Sequence, residues 1–196
     1  NFDREEMLHL YGFEYESHFH CIHLLNIWHC YCCCCSLLGW LDALTSVDVL
    51  CCCIGTTRKK TPDLVQYKAI DYGITMEVAR RAKQLGCQQI HLISSVGANA
   101  KSSNFYLRIK GETEEGIQSL GFENCLIYRP SMLIGARNES RPAEKIGQIL
   151  TPVFDFFTFG GNYHSIRATQ LAQCMVRQVE ISIPGNQFLY YRDFVA

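Results

Sequence analysis

Hydrophobic and polar positions fall into a regular pattern only from Val47 onward. VDVLCCCI, Val47 to Ile54, is an apolar run of strand length, continuous after Asp48. A half-exposed strand would alternate, so the run predicts a strand buried on both faces of a parallel sheet. It ends in Gly55-Thr56-Thr57 and the basic turn Arg58-Lys59-Lys60. A helix is predicted from about Asp63 to Leu85, with Ile70, Ile74, Ala79, Ala82 and Leu85 as its buried stripe. Pro62 suits its first turn and Gly86 its stop. A second strand, Gln89 to Ser94, leads to a helix from about Asn104 to Leu120, closed by Gly121. Cys125 to Tyr128 is a third apolar strand, ended by Arg129-Pro130. Beyond it the pattern predicts helices near Ala143–Phe154 and Arg167–Glu180, a turn at Gly160-Gly161, and a last strand at Phe188–Tyr191. Strands alternating with helices at this rhythm imply βαβ units with right-handed crossovers, hence an α/β fold with a parallel sheet.

Composition divides the chain unevenly. Nine of its 12 cysteines and five of its 7 histidines lie within the first 53 of 196 residues. We therefore expect an irregular Cys/His-rich segment, 1–46, ahead of one α/β domain, 47–196. Consecutive cysteines such as Cys32 to Cys35 rarely reach disulfide geometry. The run is contiguous, without the paired spacing of a zinc knuckle, so Cys30, Cys32, Cys35 and His23 or His29 are not expected to bind metal. The stretch from Phe19 to Leu41 approaches the length of a membrane span. His20, His23, Asn26 and His29 interrupt it and no basic flank orients it, so no membrane partner is expected. The formal net charge is −1, without the basic field that draws nucleic acid. Free cysteines without a secretory leader point to a reducing compartment, and a cytoplasmic protein is the expectation.

Candidate chemistry gathers between Gln89 and Glu115. Tyr106 and Lys110 are four residues apart, one turn along the same helix face. Ser94 or Ser95, ending the preceding strand, is within reach of the same point. An ammonium beside a phenol favours its phenolate, which suits proton transfer to or from a carbonyl oxygen that a serine holds. Other strand ends add Gly55-Thr56-Thr57 and Arg129-Pro130, and ligands of open parallel sheets bind beyond the carboxyl ends of strands. Each feature has a plainer reading: a turn for the glycine and threonines, a half-buried tyrosine beside a snorkelling lysine for the pair. His91 and His164 are read as core or surface histidines. Glu112, Glu114 and Glu115 are read as the solvated face of the helix, and Arg137, Glu139, Arg141 and Glu144 as a charged loop that gates a pocket or is simply wet.

CCIGTTRKK, VQYKAIDYGITMEVARRAKQLGC, LISSVGANAKSSNFYLRIKGETEE and YRPSMLIGARNESRP, in that order, resemble the atypical short-chain dehydrogenase/reductases. The similarity is strongest to the Tat-interacting-protein oxidoreductase-like group, and it covers about Val47 to Glu180. It implies a Rossmann-like three-layer fold, NADP(H) in preference to NAD(H), and a small carbonyl or alcohol substrate. By motif, Tyr106 would exchange the proton, Lys110 would hold the nicotinamide ribose, and Ser94 or Ser95 would meet the substrate carbonyl. Cys53, Ile54, Gly55 and Thr56 would pass the adenosine half of the cofactor, and Arg129, Pro130 and Met132 would border the nicotinamide. Asp71 matches an acidic position read as structural. The chain departs from the pattern by lacking any G-x-G-x-x-G turn after a strand. Asn1-Phe2-Asp3 resembles the end of the group's third strand, so the fold is expected to be incomplete on its N-terminal side. Leu10 to Leu38 is expected to be an insertion, translated from noncoding sequence. An NAD(P)-dependent oxidoreductase is the first expectation. The alternatives are an NADP-binding regulatory protein with a protein partner and little turnover, or a truncated remnant unable to hold cofactor.

Overall fold

The computed structural model describes residues 45–134, 164–181 and 183–196, together with the backbone of 21–24. Five parallel strands form one sheet in the order β1 (Cys21–Leu24), β2 (Val49–Cys52), β3 (Gln89–Ile93), β4 (Asn124–Tyr128) and β7 (Gly185–Leu189). A separate parallel pair, β5 (Leu133–Ile134) with β6 (Ile166–Arg167), follows β4. The predicted α/β class with a parallel sheet is the observed one.

Period-two burial explains the layering. Leu50, Cys52, Ile90, Leu92, Cys125 and Ile127 point to one face, where they meet Met76, Val78, Ala79, Ala82 and Ile117. Val49, Cys51, Leu126 and Tyr128 point to the other, against Leu171, Cys174, Met175 and Phe194. A strand buried on both faces has no solvent side onto which polar residues could alternate, which is why Val49 to Cys52 shows no alternation. Burying a side chain such as Leu50 or Ile90 completely stabilises the fold by about 1.5–3 kcal/mol. Helix α3 (Phe105–Ser119) lies on the first face. Helices α4 (Ala168–Ile181) and α5 (Tyr191–Val195) lie on the second.

The long helix predicted over 63–85 is broken. Asp63 caps α1 (Leu64–Lys68), a π-helical turn follows over Ala69–Ile74, and α2 (Thr75–Gln84) completes it. The wider turn moves the helix off its 3.6-residue phase, so Asp71 and Thr75 join the buried positions while Ile70 and Ile74 are only partly buried. Gly86 and Gly121, at φ +89° and +66°, stop α2 and α3 as foreseen.

Two other expectations change, and several fall outside the described residues. The last strand begins at Gly185, and Tyr191, placed in that strand from sequence, starts α5, because Tyr190 and Asp193 form a capping box. Cys21–Leu24 joins the sheet edge although it lies inside the stretch read as an insertion and inside the segment read as irregular. The helix expected at Ala143–Phe154, the turn at Gly160-Gly161, the Cys30–Cys35 run and the charged residues from Arg137 to Glu144 fall outside the described residues. Among the described residues no helix is long and apolar enough to cross a membrane.

His91 sits within the second face, fully buried. The Gln89 side-chain amide donates to its Nε2 at 2.8 Å, which leaves the ring proton on Nδ1, donated to Tyr128 Oη at 2.8 Å. Burial lowers this imidazole from 6.5 to about 4. The folded state thus binds fewer protons than the unfolded chain across that window. The stability His91 contributes is complete above pH 6.5 and is lost as pH falls toward 4, about 3 kcal/mol at the limit. Urea titrations at pH 7 and pH 4.5 should show this loss in the wild type. A His91→Gln chain should start less stable and decline less.

Candidate functional site

The carboxyl ends of β2, β3 and β4 and the first half of α3 meet along one edge of the sheet. Asn104 caps α3 through its side chain, which accepts from the Leu107 N–H at 3.2 Å. That fixes where the helix starts, and Tyr106 therefore falls in its first turn with Lys110 one turn on. Tyr106 is 38% exposed and Lys110 is buried. Gly111 explains how the loop from β3 comes so close. A Cβ there would stand 2.2 Å from the Ala100 nitrogen and 2.3 Å from the Asn99 carbonyl carbon, so only glycine admits this backbone contact.

Two polar clusters occupy the buried side of α3. In the first, Lys110 Nζ lies 3.4 Å from Asp71 Oδ2, while Asp71 Oδ1 accepts the Thr56 N–H at 2.7 Å. Thr56 is held further by Thr61 Oγ1 at 2.8 Å and by Tyr67 Oη, which donates to the Thr56 carbonyl at 3.2 Å. Burial pushes the Asp71 carboxyl up, and the Lys110 charge and the Thr56 N–H pull it back. Burial, and then the Asp71 charge, push the Tyr67 phenol well above its ordinary range. Gly55 faces this pair: a Cβ on it would lie 3.7 Å from Asp71 Oδ2 and 3.8 Å from Lys110 Nζ.

The second cluster centres on Glu114, one turn beyond Lys110. Its carboxylate accepts from Ser94 Oγ at 2.5 Å, from Arg129 Nε at 2.9 Å and from Arg129 Nη2 at 2.5 Å. Arg129 Nη1 donates to Tyr190 Oη at 2.9 Å, and the guanidinium lies 4.5 Å from the Phe188 ring centroid. The bidentate pair and the aromatic face hold Arg129 as a planar strut joining β4, α3 and β7. Glu114 holds the guanidinium even more firmly protonated.

This arrangement sorts the residues singled out from sequence. Gly55, Thr56 and Lys110 are brought together with a fourth residue, Asp71, which the sequence marked only as a structural acid. Ser94 spends its proton on Glu114, and its buried hydroxyl is left only acceptor capacity. Ser95, also buried, donates at 3.3 Å to the Val96 carbonyl. Arg129 is committed to Glu114 and Tyr190. The buried Pro130 accepts the Val96 N–H at 3.0 Å, and Met132 is half exposed with its carbonyl taken by the Ile166 N–H. Cys53 is half-buried against the second core face and Ile54 is buried in the first. The solvated reading of the helix acids is corrected for Glu114, which is 3% exposed because a cation waits on β4. Glu112 pairs with Lys68 at 2.7 Å, and Glu115 alone of the three is exposed. A sequence signal for Glu114 existed: it is four residues after Lys110 and three before Ile117, both buried.

The Gly55 backbone and the Lys110 ammonium together offer hydrogen-bond donors at the carboxyl end of a parallel strand, where open sheets bind ligands. Among the described residues no group of histidine, cysteine or acidic side chains is arranged to hold a metal ion.

The fold is the Rossmann-type one of NAD-binding reductases and epimerases. ADP-L-glycero-D-manno-heptose-6-epimerase of Helicobacter pylori is similar with a TM-score of 0.58 at 16% identity, over 79% of this chain and 56% of that one. The dTDP-4-dehydrorhamnose reductase of Yersinia enterocolitica gives 0.57 at 16% identity, over 81% of this chain and 61% of that one. Bordetella bronchiseptica WbmH, solved in complex with NAD+, gives 0.55 at 16% identity, over 81% and 56%. In sequence the chain is similar to "Protein fmp52, mitochondrial" of Emericella nidulans, 39% identical over 109 residues, 55% of this chain and 47% of that protein. The Candida albicans protein FMP52 is 45% identical over 95 residues, 48% and 42% of the two chains. The chain spans about half the length of the curated relatives it matches. No family model matches the sequence. The cytoplasmic expectation is overturned by these relatives, which are named as mitochondrial proteins.

Proposed function

We propose that this chain carries the site of a nicotinamide-dinucleotide-dependent oxidoreductase of the short-chain dehydrogenase/reductase type, acting on a small carbonyl or alcohol in the mitochondrion. The observation that carries the reading is the buried Lys110 ammonium, held by Asp71 against Gly55 at the carboxyl end of β2. The dinucleotide, when bound, supplies or accepts the hydride. Lys110 and the Gly55-Thr56 backbone would hold it. Tyr106, exposed one turn before Lys110, delivers its phenolic proton to the substrate oxygen and recovers it from water; oxidation runs the transfer in reverse. Ser95 orients that oxygen by turning its hydroxyl away from the Val96 carbonyl, an exchange of one weak hydrogen bond for another. Ser94 fixes the position of Ser95 through Glu114. The resemblance to the Tat-interacting-protein oxidoreductase-like group supports NADP(H) over NAD(H).

Fluorescence titration with NADPH and NADH tests the reading. The wild-type chain should bind NADPH, and Lys110→Met should weaken binding about tenfold or more, as expected when a charged donor is lost. Tyr106→Phe should bind NADPH within about twofold of wild type yet abolish its consumption over a panel of small carbonyl compounds. Binding without turnover of any panel member would favour an NADP-responsive regulatory protein instead. Absence of binding would refute the proposal.

A further inference from the structure

Asp71 is buried with 1% of its side chain exposed, on a π-helical turn between two α-helical segments. Such turns are rare and recur at functional sites, because one extra residue re-aims a side chain that a regular helix would carry elsewhere. Here the turn lets Tyr67 stay packed under Thr56 while Val78, Ala79 and Ala82 pack on the sheet, and it turns Asp71 inward between them. One carboxylate oxygen takes the Thr56 N–H. The other, Oδ2, has no hydrogen-bond partner and stands 3.4 Å from Lys110 Nζ. A buried ion pair that leaves an oxygen unsatisfied gains the fold little, since desolvation offsets the attraction. Its value must lie in what it does to the lysine.

We propose that Asp71 is a positioning residue for Lys110: it ties the ammonium to the Gly55-Thr56 loop so that the loop and the lysine present themselves to a ligand as one unit. Where that ligand is the ribose of a dinucleotide, the inference rests on the reading above; the effect on Lys110 itself does not. Asp71 Oδ2 is sealed from solvent and acts only through the lysine. The titratable groups that face Asp71 are Lys110 of α3, Tyr67 of α1 and Cys52 of β2.

The test reads Lys110 directly. Trace labelling with acetic anhydride, quantified by mass spectrometry against the exposed Lys59 in the same sample, reports how freely the Lys110 amine reacts. Asp71→Asn should raise relative Lys110 labelling severalfold, because the ammonium is no longer tied in an ion pair against the Gly55-Thr56 loop. Unchanged labelling would overturn the proposal. If Asp71→Asn does not fold, Nζ NMR of the wild-type chain decides. The Lys110 signal must move as Asp71 is protonated on the acid side, and a signal that stays fixed overturns the proposal equally. NADPH serves as the ligand probe, and its affinity should fall about tenfold in Asp71→Asn. A wild-type chain that binds neither NADPH nor NADH refutes the proposed function while leaving the labelling result to stand or fall alone.

Discussion

Glu114→Ala should lower the thermal midpoint by roughly 6–12 °C, corresponding to about 3 kcal/mol in a chain of this size. The loss comes less from the carboxylate than from what it leaves behind. Arg129, with 20% of its side chain exposed, would keep its charge with only the Tyr190 hydroxyl and two aromatic faces for company. Ser94 would lose its acceptor at the same time. Replacing both members of the pair separates these costs. Glu114→Leu combined with Arg129→Met removes the stranded charge, so it should cost clearly less than the sum of the single changes. Circular-dichroism melts of the four chains measure this. Additive losses would mean that the two groups are not energetically coupled.

Gly111→Ala should be equally severe for a different reason. The added methyl would overlap backbone atoms of Asn99 and Ala100, which cannot swing aside as a side chain does. Either α3 or the 99–100 loop must retreat, at a cost of at least about 3 kcal/mol, beyond the usual range for one inserted methylene. Gly116→Ala is the control. Its Cβ would meet Met76 Sδ at 2.8 Å, the flexible end of a side chain, and the helix gains the propensity that alanine has over glycine. We expect Gly116→Ala to melt within a few degrees of the wild type. A Gly111→Ala chain that melts with it would show that the loop yields freely.

Much of this architecture was legible from local pattern. Val49–Cys52 and Cys125–Tyr128 are apolar because both faces are covered, and the helix around Tyr106 begins at a real cap, Asn104, and ends at Gly121 with positive φ. What escaped depends on partners distant in sequence or on breaks in period. Glu114 looked like one of three similar acids, and only Arg129, 15 positions on, makes it a core residue. Asp71 was visible as an acidic position. Its inward aim comes from a π turn, which no 3.6-residue template contains. Cys21–Leu24 was hidden because His23 interrupts a strand of only four residues and further cysteines and histidines surround it. Among the site residues, the resemblance assigned Gly55 to the adenosine half of a cofactor and Lys110 to its nicotinamide ribose; it could not show that the two lie side by side, or that Ser94 and Arg129 already have partners.

The order of the sheet also bears on how the chain is made. β2, β3 and β4 lie side by side in the order in which a ribosome releases them, so each new strand finds its neighbour already present. The Glu114 cluster departs from that economy. Ser94, Glu114 and Arg129 can meet once β4 has formed, but their tie to Tyr190 closes a loop of 61 positions. Until β7 docks, the nascent domain carries a guanidinium fixed on one side and open on the other. The tie from Arg129 to Tyr190 therefore forms after the bonds to Glu114, when β7 seals the edge of β4.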